Sequence, residues 1–232
     1  MTETEDELIG IAHVPEGVEM RLLQHGDDFT IVLEDTELMS TQASVSEEAL
    51  ATMTCERLGA RKGTEMLIGG YGMGFTLRAA LAALPDDASV TVAEIVPEII
   101  EWALGPMQRF TAGCLDDPRV TLVHDDIAML IDAARGGYDA ILLDVDNGPE
   151  GLTRRINDQL YGPGGLQAAK AALKPDGILA IWSADSDTAF PARLRKAGFE
   201  VSEVAVKAKP GGSGYGHVIW FAQKTPDQKT GK

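Results

Sequence analysis

Two cysteines, four histidines and a shortage of positive charge set the first limits on this 232-residue chain. Cys55 and Cys114 sit in helix-like contexts without metal spacing, so they read as reduced thiols rather than as a disulfide or a metal site. His13, His25, His124 and His217 are scattered and form no ligand pattern, and no metal is expected. His124, beside Asp125, reads as a packed side chain rather than a catalytic one. No apolar run approaches the roughly 18 residues of a membrane span, and no internal repeat is visible. The acidic start, Glu3, Glu5, Asp6 and Glu7 among the first seven residues, is the opposite of a basic leader, so a cytoplasmic protein is expected. With 36 acidic against 20 basic residues the formal charge is −16. A surface of that sign repels phosphate backbones and anionic lipid, which argues against nucleic-acid and membrane partners. It draws cations such as amines toward any acidic cleft, although solubility alone also explains such a balance.

What the chain does have is glycine in a telling place. Glu65-Met66-Leu67-Ile68 is an apolar run that breaks into Gly69-Gly70-Tyr71-Gly72-Met73-Gly74 and then becomes helical at Phe75. This is the pattern of a first strand, a nucleotide-binding turn and a first helix in a doubly wound sheet. Gly70, Gly72 and Gly74 let the main chain turn tightly and let a ligand lie against it. Their G-x-G-x-G spacing differs from the dinucleotide G-x-G-x-x-G and goes with folds that bind S-adenosylmethionine or a relative. Some twenty residues on, the β-branched run Ser89–Ile95 carries Glu94, at the distance where such folds hold an acid against ribose hydroxyls. Glu94 is therefore the expected ribose ligand, with Ile95 beside it in the cofactor-binding set; a solvated strand end is the plainer alternative.

The remaining pattern is α/β. Val18–Leu23 and Phe29–Leu33 flank a turn at His25–Asp28, a hairpin to which Glu37–Ser40 can add a third strand. Ser44-x-x-Glu47 has the form of a capping box opening a helix from about Ser46 to Leu58, with Gly59 as its stop. Residues 1–45 thus read as a small β-hairpin appendage and 46–232 as a nucleoside-binding catalytic domain. Helices are expected at Phe75–Leu84, Pro97–Phe110, Ile127–Ala134, Leu166–Leu173 and Thr188–Ala197. Strands are expected at Val120–Val123, Tyr138–Leu143 and Ile178–Ser183, with Lys174–Gly177 a turn before the last. Phe199–Lys207 and His217–Gln223 are joined too tightly for a helical crossover and must pair antiparallel. The fold class is therefore a Rossmann-like methyltransferase fold: a mostly parallel seven-stranded sheet with an antiparallel last strand. Tyr161–Gly165 reads as a lid or a plain loop.

Ligands of such sheets bind beyond the carboxyl ends of the strands. Acids stand there: Glu94, Asp125 and Asp126, and Asp144 with Asp146 and Asn147 behind it. Asp126, or Asp125 in its place, suits an adenine amino group, while a helix N-cap explains either equally well. Asp144 ends the most apolar strand and is placed to hold an ammonium and take its proton. Asp146 or Asn147 can bind a second polar group of the substrate.

At these residues the chain resembles the spermidine synthase family of aminopropyltransferases. The likeness is carried by Leu67–Gly70 leading to Thr76-Leu77-Arg78, Ala93-Glu94-Ile95, Asp117-Pro118-Arg119-Val120 and Tyr138–Asp144. It implies transfer of an aminopropyl or other alkyl group from S-adenosylmethionine or its decarboxylated form to a small, cationic amine acceptor. By the same resemblance Asp144 is the base, Glu94 the ribose acid, Asp126 most nearly the adenine acid, and the protein a homodimer. A methyltransferase on the same scaffold and a non-catalytic nucleoside binder are the alternatives. Family members carry an acid within the glycine turn, and a run like Asp-Glu-x-x-Tyr-His-Glu for the polyamine. Here the turn holds no acid, and residues 41–50 read Thr-Gln-Ala-Ser-Val-Ser-Glu-Glu-Ala-Leu. The nucleoside pocket looks retained and the polyamine pocket rebuilt.

Overall fold

The computed structural model describes residues 6–14, 17–145, 160–209 and 216–225. Its first layer is a four-stranded antiparallel meander of β1 (Glu7–His13), β2 (Glu19–His25), β3 (Asp28–Leu33) and β4 (Thr36–Ser40). Alternation makes it one-sided: Met20 and Leu22 of β2 and Phe29, Ile31 and Leu33 of β3 are buried, with half-buried or exposed residues between them. The expected hairpin is the β2–β3 pair, closed between His25 and Asp28 with Gly26 at a φ of 60°. β1 was not expected. Its exposed Leu8 and Ile11 blur the period, and a bulge between Leu8 and Gly10 breaks it outright. Gly10 is where the meander touches the larger layer, since a Cβ there would lie 2.4 Å from Nε1 of Trp102.

The second layer is a seven-stranded sheet with helices on both faces. Its strands are β5 (Glu65–Gly69), β6 (Ser89–Ala93), β7 (Val120–Val123), β8 (Tyr138–Leu143), β9 (Leu173–Ser183), β10 (Phe199–Val206) and β11 (His217–Lys224). Their spatial order is β10-β11-β9-β8-β5-β6-β7. All neighbours are parallel except β11, which runs antiparallel to both β9 and β10, as the short link requires. The central strand β5 shows why the run 66–68 is apolar throughout. Met66 and Ile68 enter the core shared with the meander, Leu67 enters the core on the opposite face, and none has any exposure.

The helices are α1 (Val45–Leu58), α2 (Phe75–Ala83), α3 (Pro97–Leu104), α4 (Gln108–Thr111), α5 (Ile127–Ala133), α6 (Pro163–Ala172) and α7 (Phe190–Lys196). Three differ from the sequence reading. The helix expected over Pro97–Phe110 breaks at Gly105, whose φ of −104° and ψ of −107° are not helical, because Pro106 disfavours helical geometry in the residue before it. The Tyr161–Gly165 segment is not a loop: Tyr161 is buried edge-on against Phe190, and Pro163 opens α6 in the first-turn position proline favours. Ser44 forms no capping box, because its own conformation is αR and no side-chain cap bond is made. The Lys174–Gly177 turn is instead a wide bulge within β9, since Tyr138 pairs with Leu173 but Ala140 with Ile178. Asp139 fills that gap, accepting from Lys174 Nζ at 2.6 Å, Arg61 Nη1 at 3.3 Å and the Glu65 N–H at 2.9 Å. Among the described residues no helix is long and apolar enough to cross a membrane.

Candidate active site

β5 leads to β6 on one side and is flanked by β8 on the other, so the chain order reverses beside β5 and a crevice opens past its carboxyl end. A cleft of about 1180 Å³, counting the part open to solvent, lies there. Gly70, Gly72, Glu94, Ile95, Asp125, Asp126 and Asp144 all line it, so residues spread over 75 positions of sequence converge as expected. Gly74 does not line it, and Asp146 and Asn147 fall outside the described residues.

The three glycines of the turn have positive φ, 82°, 54° and 75°, and each is bare for its own reason. A Cβ on Gly70 would stand 2.4 Å from the main-chain oxygen of Asp144, where the ends of β5 and β8 converge. One on Gly72 would meet the sulfur of Met39 at 2.9 Å, and one on Gly74 the Tyr71 hydroxyl at 2.7 Å. Gly74 serves as N-cap of α2 and seats Tyr71, whose hydroxyl lies 3.5 Å from Cys114 Sγ.

Glu94 is only 4% exposed. Its two oxygens accept the main-chain N–H groups of Tyr71 at 2.9 Å and Val96 at 2.8 Å, which pins the carboxyl at the floor of the cleft and ties the end of β6 to the glycine turn. Burial pushes its pKa up, and those N–H groups, with Gly72 and Ile95 behind them, pull it back toward the charged form. Ile95 beside it is a large apolar side chain left 38% exposed on the cleft wall. Asp126 is the N-cap of α5, accepting from Ala128 N–H at 2.8 Å, and Asp125 Oδ1 accepts from Asp126 N–H at 2.8 Å. The capping role and the position at the cleft coexist in Asp126.

Asp144 is half-buried beside the glycine turn: its main-chain N–H donates to the Gly69 carbonyl at 3.0 Å, and the Thr76 hydroxyl donates to its Oδ2 at 2.5 Å. Burial raises its pKa to about 6 against the opposing pull of that hydrogen bond. Facing the same space is Glu47, which the sequence reading had assigned to a helix cap. Burial first and the charge of Asp144 second lift Glu47 to about 7. The Ser46 hydroxyl donates to Glu47 Oε2 at 2.5 Å and lies 2.9 Å from Nδ1 of His217, while the Glu47 carbonyl is 3.3 Å from the Thr76 hydroxyl. A signal for this was available: Ser46 shares the buried i, i+4 stripe of α1 with Leu50, Thr54 and Leu58, so the first turn faces inward and cannot be a solvated cap.

The rest of the wall is apolar. Val14, Met20, Leu33, Leu38 and Met39 come from the meander, and Trp182 from the end of β9. No Lys, Arg or His lines the cleft among the described residues. Five carboxyls against an apolar roof make a lining complementary to an apolar body that carries a positive charge. Among the described residues no group of three or more His, Cys, Asp and Glu is arranged for a metal ion.

Over 195 residues the chain is 27% identical to the polyamine aminopropyltransferase of Mycobacterium tuberculosis, a match covering 79% of this chain and 35% of that one. It is 32% identical over 116 residues to putrescine N-methyltransferase 1 of Nicotiana tabacum, covering 50% of this chain and 29% of the relative. The chain thus spans about a third of the length of these curated relatives. Spermidine synthase from Thermotoga maritima superposes with a TM-score of 0.72 at 21% identity, over 95% of this chain and 74% of that one. A spermidine synthase in complex with the transition-state analogue AdoDATO gives 0.71 at 21% identity, over 95% and 73%. At that identity the likeness speaks for the fold. The model of the spermine/spermidine synthase domain matches residues 45–189, well over half of the sequence, and the chain belongs to that family.

Proposed function

We propose that this protein is a spermidine synthase-like transferase that moves an aminopropyl or other alkyl group from S-adenosylmethionine, or its decarboxylated form, to a small amine. The observation that carries the reading is the convergence of Asp144, Glu94 and the glycine turn on one acidic, apolar-roofed cleft. A nucleoside sulfonium suits it: bare main chain at Gly70 and Gly72, Glu94 for sugar hydroxyls, Ile95 and the acids of the α5 cap for the base. The sulfonium supplies an electrophilic carbon when bound, and the protein's residues have to supply a neutral amine. An alkyl amine has a pKa near ~10.4 and is about 99.9% protonated at neutral pH, so it cannot attack until a proton leaves. Against an ordinary aspartate, that transfer is uphill by about 9 kcal/mol; against Asp144 at about 6, it is uphill by about 6 kcal/mol. Burial of the ammonium beside apolar side chains lowers the remainder. In this proposal residues 1–45 are an appendage that roofs the site, 46–232 form the catalytic unit, and the protein acts as a homodimer.

The test is product identity. The protein is incubated with putrescine or another small amine and either donor, and methylthioadenosine is expected as the nucleoside product. The Nicotiana relative keeps methyl transfer as the second reading, and adenosylhomocysteine would select it. Asp144→Asn is expected to bind the donor as wild type does by calorimetry and to lose at least ~100-fold in turnover. An unchanged rate removes Asp144 from the mechanism, and failure of both donors to bind overturns the proposal.

A further inference from the structure

Alkylation of an ammonium releases one proton per turnover. The ammonium loses a proton to become the nucleophile; its nitrogen lone pair forms the new C–N bond while the C–S electrons return to sulfur. That proton has to leave a cleft whose proposed base is only partly open to water. We propose that Glu47, Ser46 and His217 form the exit path, taking the proton from Asp144 and delivering it to water on the far side of α1. The inference rests on the transferase reading given above.

From Glu47 outward the groups are in hydrogen-bond contact, and Glu47 shares the cleft wall with Asp144. Glu47 Oε2 lies 2.5 Å from Ser46 Oγ, and Ser46 Oγ lies 2.9 Å from His217 Nδ1. Ser46 itself has no exposure, so its hydroxyl has these two partners in place of water. His217 opens β11, is half-buried and stands edge-on to Trp182, with ring centroids 4.7 Å apart. The three groups accept two proton arrangements. With Glu47 protonated, its O–H donates to Ser46 and the Ser46 hydroxyl donates to His217 Nδ1. After both protons shift one place, Glu47 is a carboxylate accepting from Ser46, and Ser46 accepts from an imidazolium Nδ1–H. The imidazolium then gives up its Nε2 proton to solvent, and the negative charge left on Glu47 is discharged when Asp144 hands it the proton taken from the ammonium.

The charged groups around the path fit this direction. Glu47 is faced by Asp144 and Glu48, both of which favour its protonated form. Burial holds the His217 imidazole below its ordinary pKa, which speeds release of the proton to water, and Asp185 facing it pulls part of the way back toward the imidazolium. Thr76 anchors the inner end, donating to Asp144 and lying against the Glu47 carbonyl.

Ser46→Ala removes the middle of the path, and His217→Asn keeps an amide near the Nδ1 position that cannot carry a proton. Both are expected to lower kcat about tenfold at neutral pH in dilute buffer, with KM and donor binding unchanged. Added imidazole should restore most of the rate. A residue that only supports the fold would shift KM or the melting temperature and gain nothing from imidazole. Wild-type kcat in both variants, or a loss that imidazole leaves in place, overturns the path. A second readout does not need turnover: the ¹⁵N signals of His217 should follow the ionisation of Glu47 near neutrality, and Glu47→Gln should abolish that response. If this linkage is seen while wild type forms neither nucleoside product, the transferase reading fails and the linked chain of groups stands. If product forms and His217 ignores Glu47→Gln, the path fails and the transferase reading stands.

Discussion

Single carboxyls decide what this cleft can do, and Glu47 shows how. It lies in the first turn of α1 and is lifted to about 7, chiefly because folding takes it out of water and secondarily because Asp144 is charged nearby. A carboxyl whose pKa rises on folding binds its proton more tightly in the native state than in the unfolded one. Between roughly pH 4.5 and 7 the unfolded chain therefore holds fewer protons, and the stability of the fold falls as pH climbs through that window. Asp144, at about 6, acts in the same direction over a narrower range. Replacing Glu47 with Gln removes the charge and keeps the volume. Glu47→Gln is expected to be more stable than wild type by about 2 kcal/mol at pH 8 and close to it at pH 4, measured by urea unfolding. An equal difference at both values would mean that Glu47 does not titrate in the native state as described. The stability that wild type gives up here is what a site for cations requires.

Elements were legible where one physical cause acted alone. β5 and β8 are parallel strands covered on both faces, so Met66–Ile68 and Ala140–Leu143 read as unbroken apolar runs, while β6 reads as a β-branched one, and the acid or glycine that follows each run marks its carboxyl end. That single cause located Gly70, Glu94 and Asp144. Where two causes compete, the local pattern misleads. Ser44-x-x-Glu47 has the form of a cap, yet tertiary packing buries Ser46 and turns Glu47 toward the cleft. Lys174–Gly177 has the composition of a turn, yet the buried Asp139 needs cationic partners and holds that segment as a bulge of β9. The glycine turn is legible in part, because its composition does not show which glycine faces a ligand and which faces protein. At both Gly70 and Gly72 the direction of the missing side chain is filled by protein, but by atoms of different stiffness. An alanine Cβ at 70 would push on main chain, the Asp144 carbonyl oxygen, whereas at 72 it would push on the flexible end of Met39. Both carry the strain of positive φ. Gly70→Ala is therefore expected to cost about 2–4 kcal/mol and Gly72→Ala about 1–2 kcal/mol in denaturant unfolding. Turnover should suffer more at 70, since the displaced atom belongs to Asp144, the proposed base. The reverse ranking would show that the β5 and β8 ends have room to part.

At the scale of the whole molecule, the −16 formal charge and the cleft have the same sign. A cation diffusing toward the protein is drawn first by the overall field and then by the carboxyls of the cleft, of which Asp125 is exposed, Asp126 and Asp144 are half-buried and Glu94 is buried. The meander supplies the low-dielectric roof that keeps that field from being screened inside the cleft, because each of its five contributions to the wall is apolar. Charge on the surface and charge at the base should therefore respond differently to salt. Outside the cleft the Debye length shrinks from about 30 Å at 0.01 M to about 8 Å at 0.15 M, so long-range attraction is lost over that span. Under the roof the Asp144–ammonium contact is screened much less. For a cationic acceptor, kcat/KM is expected to fall several-fold between those two ionic strengths while kcat stays within about twofold. Repeating the titration with a neutral, uncharged competitor that binds the same cleft should give a salt-independent inhibition constant. If kcat/KM for the amine is flat across the range, the excess of acid serves solubility and the cleft captures its cation only by contact.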